Sequence, residues 1–133
     1  MPAADARTPE EKANLRLVLD MFDQVLNAMD ADAVDRFISP GYIQHNQSVG
    51  PGVGPLKDLL RFIKKETPQA VHDVKRSFVD GDHVIVHYHV RRWPKDLGWA
   101  VIDIFRIENG LIAEHWDVLQ NVPESSPNPN SPF

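Results

Sequence analysis

The apolar positions of this chain change period once, near residue 70. Before that point they recur at three and four residues. Leu15, Val18, Leu19, Phe22, Val25, Leu26 and Met29 mark one face of an amphipathic helix reaching to about Met29. Thr8-Pro9-Glu10-Glu11 supplies its start, a capping box with proline at the first helical position. Asp30 to Ile38 reads as a short second helix with Val34, Phe37 and Ile38 on its apolar side, stopped by Ser39-Pro40-Gly41. Tyr42 to Asn46 is a short extended piece, and Gly50 to Gly54 a flexible loop. Pro55 opens a third helix, with Leu56, Leu59, Leu60 and Ile63 at helical spacing, ending near Thr67-Pro68.

From Ala70 onward the period is two, which predicts strands at about 71–79, 83–93, 99–108 and 111–120. Asp80-Gly81 and Asn109-Gly110 are two-residue hairpin signals, and Pro94 to Gly98 is a longer connection. Helices followed by an antiparallel meander imply an α+β fold, three helices covering one face of a curved sheet around a cone-shaped cavity. Residues 1–121 form one domain in this reading. Residues 122–133 are a proline-rich tail without periodicity, disordered or laid across another surface.

Bulk properties narrow the class. A length of 133 residues suits one domain that buries a core without staples. The net charge of -5, with both signs interspersed, argues against nucleic acid as the main partner. There is no cysteine, so disulfide and thiol chemistry are excluded. The first fifteen residues lack the features of a secretory signal, and no apolar run reaches the length of a membrane span. The expectation is a cytoplasmic protein that does not engage membranes.

The chemistry centres on Asp103, set between Ile102 and Ile104 with Val101 and Phe105 beyond. A carboxylate buried in an apolar strand is costly unless paired or protonated, and it is either an ion-pair partner, for example of Arg91, or a functional group. Counting back from the turns sets Asp103 opposite Trp116 and His89, and His89 opposite His72. Opposed side chains lie within about 4.5–5.5 Å at Cβ, so these four would form one row, which a one-residue slip would destroy. One face would then carry His87, His89, Trp99, Val101, Asp103, Phe105, Glu114 and Trp116. The opposite face, with Val84, Val86, Tyr88, Val90, Ala100, Ile102, Ile104, His115 and Asp117, is mostly aliphatic. An aliphatic outer face implies a subunit contact, hence a homodimer through Val84, Val86, Ile102 and Ile104, which the tail after Pro123 would cross.

The segment DIFRIENGLIAEHWD, preceded by GDHVIVHYHV and by YIQHN after a helical half, resembles the SnoaL-like polyketide cyclase group of the NTF2-like superfamily, from about Leu15 to Gln120. That resemblance implies a cone-shaped α+β barrel, commonly dimeric. It also implies an Asp acting as general acid/base in an intramolecular aldol closure, with a His on the preceding strand and no metal or cofactor. The matching positions are Asp103 and His89. One carboxyl group serves both proton transfers when its pKa lies near working pH.

The other candidates follow from position. Tyr42, His45 and Asn46 would stand at the pocket mouth, His45 or Asn46 binding a carbonyl oxygen or merely capping a turn. His72 joins the row, and Trp99 and Trp116 supply flat walls or plain packing. The substrate would be a small hydrophobic carbonyl compound. Isomerase or dehydratase chemistry, and non-catalytic ligand binding, use the same pocket. A rival reading joins His72, His89 and Asp103 as a two-His-one-carboxylate metal set, although no local motif such as HExxH is present.

Overall fold

The structure, a computed structural model, describes residues 6–133. Helix α1 spans Pro9–Met21 and passes directly into a π-helical turn, Phe22–Asn27, so the helical path ends two residues before the expected Met29. Both bonds of the capping box form: Thr8 Oγ accepts from the Glu11 amide at 3.1 Å, and Glu11 Oε1 from the Thr8 amide at 2.9 Å. Val18, Phe22 and Val25 are fully buried, as their spacing requires.

Asp30 to Ile38 is less helical than its pattern suggests. A 3₁₀ turn, Ala31–Ala33, leads into a single α-turn, α2, Val34–Phe37. Strand β1 then runs Ile38–Gln44, through Ser39-Pro40-Gly41. A strand tolerates that proline because β1 is an edge strand, where a missing N–H breaks no ladder. Helix α3, Val53–Glu66, starts two residues before Pro55.

Four antiparallel strands follow: β2 Val71–Asp80, β3 His83–Arg91, β4 Trp99–Glu108 and β5 Leu111–Asn121. The sheet order is β1-β5-β4-β3-β2, with β1 parallel to β5. The α+β architecture is as expected, and the Asp103 face is the one the helices cover. Phe22 meets Tyr88 and Phe105 edge-on across that layer, ring centroids 4.9 and 6.1 Å apart. Among the described residues no helix is long and apolar enough to cross a membrane.

Strand register departs from the sequence reading at three places. The first turn is Gly81-Asp82, with Asp80 paired to His83, and an extra residue, Lys75, bulges from β2 further along. Strand β3 stops at Arg91, so Val90 pairs with Trp99, a three-residue shift that turns β3 over. On β5 two residues, Ile112 and Ala113, face Ile107, a bulge that turns over everything after it. Asp103 therefore pairs with Val86 and Asp117, not with His89 and Trp116, and His72 pairs with Val90. Each odd shift exchanges the faces, as period two demands.

The proposed contact face changes accordingly. Val84 and Val86 are fully buried beneath the helices, while Ile102 remains 38% exposed on the outer side. The tail does not leave the molecule at its end. The Phe133 ring stacks on His89 at 4.3 Å and lies 5.7 Å from His87, against the outer face of its own sheet.

Candidate functional site

A cavity of about 140 Å³ lies between the inner sheet face and the helices. Met21, Leu26, Leu56, Trp99, Val101 and Phe105 give it apolar walls, and its polar groups gather on one side. That combination is how small-molecule sites are built.

Asp103 is 2% exposed and lines this cavity. Its ring neighbour is His115, with Nε2 3.1 Å from Oδ1. The contact is close but poorly aligned, so Oδ1 has no well-formed hydrogen bond. The Tyr88 hydroxyl also donates to the carboxylate. Burial pushes the Asp103 carboxyl above the ordinary range, and the negative charge of Asp117 adds to this; the bonds from His115 and Tyr88 pull the other way.

A chain of hydrogen bonds sets the proton positions. Gln44 Nε2 donates to Tyr42 Oη at 2.8 Å, and Gln44 Oε1 accepts from the Asn46 amide at 3.0 Å. The same Oε1 lies 2.7 Å from His115 Nδ1. An oxygen has no proton to give, so Nδ1 carries the hydrogen. The other nitrogen, Nε2, is thereby aimed at Asp103, within reach of a proton carried on its carboxyl group. Gln44 and His115 are Cα partners across the parallel β1–β5 pair, which is why residues 71 apart meet.

Asn46 lines the cavity, but its amide is committed: Nδ2 donates to Asp117 Oδ2 at 2.6 Å, and Oδ1 accepts from the Ser48 amide. Tyr42 is better placed to serve a ligand. Gln44 occupies an acceptor site on its oxygen, burial and the charges of Asp103 and Asp117 push its pKa well up, and so the phenol keeps a proton to donate. His72 and Trp99 also line the cavity.

Three expected site residues lie elsewhere. His89 sits on the outer sheet face, its Nε2 2.7 Å from the Leu97 carbonyl, because the β3–β4 shift is odd. Trp116 is turned outward by the β5 bulge and stacks between His45 at 4.9 Å and His83 at 6.1 Å. His45 joins it on that side, 2.7 Å from Glu114, which Arg106 also binds at 2.9 Å. The suggested His72, His89 and Asp103 metal set is thereby split between two faces. A different group, Asp103, His115 and Asp117, brings one ligand atom each within 4.8 Å of the others, and these three could hold a cation. Asp103 is not paired with Arg91.

Tyr88, His115 and Asp117, expected on the outer face, line the cavity instead, and Gln44 and Arg92 line it with them. Their best signal lay in the alternation of β5: in Ile112, Ala113 and His115, two adjacent small or apolar residues before a histidine mark a bulge rather than a strict alternation.

The SnoaL-like domain model matches residues 18–115 of the chain. Sequence comparison with curated proteins gave no match. The fold is similar to that of TsrD from Streptomyces laurentii, at 23% identity and TM-score 0.68, over 81% of this chain and 89% of that one. It is also similar to a SnoaL-like polyketide cyclase from Agrobacterium tumefaciens, at 17% identity and TM-score 0.65, over 80% and 90% of the two chains. A SnoaL-like protein of unknown function from Burkholderia thailandensis matches at 14% identity and TM-score 0.70, over 85% and 99%. At these identities the likeness is one of fold.

Proposed function

We propose that this protein, which belongs to the SnoaL-like domain family, uses Asp103 as the general acid/base of a cofactor-free reaction on a small carbonyl compound. The observation that carries the reading is the buried carboxyl group facing an apolar cavity, with one imprecisely bonded oxygen and an imidazole of determined orientation beside it. Burial raises the proton affinity of Asp103 toward working pH, where a base both takes and returns a proton efficiently. His115 takes the supporting role expected of His89. Its Nε2 can accept the proton that Asp103 removes from carbon, while Gln44 keeps the ring in place. The Tyr42 hydroxyl donates to the substrate oxygen as negative charge develops there.

Aldol closure is the nearest class, with isomerisation or dehydration next, since all begin with proton transfer at an activated carbon. The test is deuterium exchange into small ketones, followed by proton NMR. Asp103→Asn keeps the shape and removes the base, so exchange should fall by about 10²–10⁴-fold. A near-wild-type rate in a folded Asp103→Asn protein defeats the assignment. A second reading rests on the clustered ligand atoms of Asp103, His115 and Asp117. Loss of exchange after dialysis against a chelator, with recovery on adding one divalent metal, selects it.

The protein is further proposed to be a homodimer through the outer sheet face, where Ile102 and Val118 are exposed. Light scattering at micromolar concentration should give twice the chain mass; the mass of one chain rejects it.

A further inference from the structure

The cavity has a second polar end that the acid/base reading leaves unused. Arg92 and His72 both line it. Nη1 of Arg92 is buried with no hydrogen-bond partner, and so is Nδ1 of His72, a residue only 8% exposed. Both are groups for which burial without a partner is costly. The carboxylate next in the chain, Asp96, lends its charge to the guanidinium but no hydrogen bond. Asp96 spends Oδ2 on the Arg92 amide at 2.9 Å and Oδ1 on the Gly98 amide at 3.0 Å. The guanidinium instead lies over the Trp99 ring, 5.5 Å from its centroid, an arrangement that holds it without neutralising it.

His72 is itself held in place. Asn27 Oδ1 accepts from the His72 amide at 2.7 Å, and Asn27 Nδ2 donates to the His72 carbonyl at 3.1 Å. Burial and the charge of Arg92 lower its pKa to about 4, so at neutral pH it is an uncharged ring with one N–H to offer. A half-buried cation near a neutral imidazole, with Nη1 of the one and Nδ1 of the other lacking partners, is a site for an anion with two acceptor oxygens.

We infer that Arg92 and His72 form an anion subsite, and that the ligand of this pocket is a short oxo acid, its carboxylate held there and its carbonyl at Asp103. The inference rests on reading the pocket as the substrate site and adds the class of substrate. Tyr88, which hydrogen-bonds Asp103, lines the same cavity as Arg92 and feels its charge, so one small cavity carries both polar ends. The volume agrees: about 140 Å³ is close to an engineered cavity of about 150 Å³ that admits benzene, too small for a polycyclic ligand.

The probes are 4-oxopentanoate and its methyl ester, the same skeleton with and without charge. Binding is followed through the Trp99 indole N–H in ¹⁵N-labelled protein. The acid should bind at least about tenfold more tightly than the ester. Arg92→Gln should abolish that preference without weakening the ester, and Arg92→Lys should retain part of it, with circular dichroism confirming each fold. Equal affinity for acid and ester, a preference that survives in Arg92→Gln, or no shift at Trp99 up to about 50 mM acid overturns the subsite. Asp103→Asn separates this inference from the acid/base reading. The acid preference should persist in that variant whether or not the wild type exchanges deuterium, and loss of the subsite leaves Asp103 free to act on a neutral ketone.

Discussion

At the residue scale, Asp103 stands out in the sequence because a carboxylate between Ile102 and Ile104 contradicts its surroundings, and no register argument is needed to notice it. Its partner is not legible in the same way. Choosing between His89 and His115 requires the parity of two strand pairings, and each was shifted by an odd number of residues. His72 faces the cavity together with Asp103, although its opposite neighbour is Val90 rather than His89. Its burial has a consequence for stability. The folded state holds the ring at a pKa of about 4, against 6.5 in the ordinary case, so between those values the unfolded chain binds more protons. Stability is therefore fully present above about pH 6.5 and falls as pH drops toward 4, by up to about 3 kcal/mol. Asp103 acts with the opposite sign: its raised pKa favours the fold at low pH and is a cost once it ionises. Urea unfolding between pH 4 and 7 isolates the histidine when wild type is compared with His72→Gln. The variant should lose the downward slope toward acid, and an unchanged slope would refute the assignment.

At the scale of elements, the capping box, the helical faces and the Asn109-Gly110 turn follow from local chemistry, and the structure contains all of them. The places where expectation failed are those where distant parts of the chain decide. Ser39-Pro40-Gly41 lies inside a strand because β5 pairs with β1 on either side of it, at Ile38 and at Ile43, and no residue nearby carries that information. The β3–β4 connection is longer than Pro94 to Gly98 because Asp96 folds back to bind the amides of Arg92 and Gly98, ending the strand at Arg91. Gly98 is the point on which this loop turns. Its φ is +70°, and a Cβ there would stand 1.8 Å from the Val90 carbonyl oxygen. A side chain would demand a backbone shift as well as a left-handed conformation. Gly98→Ala should therefore cost about 2–4 kcal/mol, read as a lower urea midpoint with an unchanged slope. The loop also holds Arg92 in place, so the variant should affect the cavity more than the helical face.

At the scale of the whole molecule, the helical half and the stranded half enclose one cavity, as the single change of period near residue 70 suggests. The outer face is the less legible side. Its aliphatic content is smaller than expected, since Val84 and Val86 belong to the core, and Phe133 shares it with His87 and His89. The inner face owes its chemistry to pairing across the longest separation in the sheet. Gln44 reaches His115 and Asn46 reaches Asp117, each across 71 positions. During synthesis Asp103 leaves the ribosome before β5, so for a time the carboxyl group has neither imidazole nor fellow carboxylate beside it. A chain cut short before residue 115 carries the buried carboxyl group without its imidazole, so the polar side of the cavity is complete only once β5 has paired with β4.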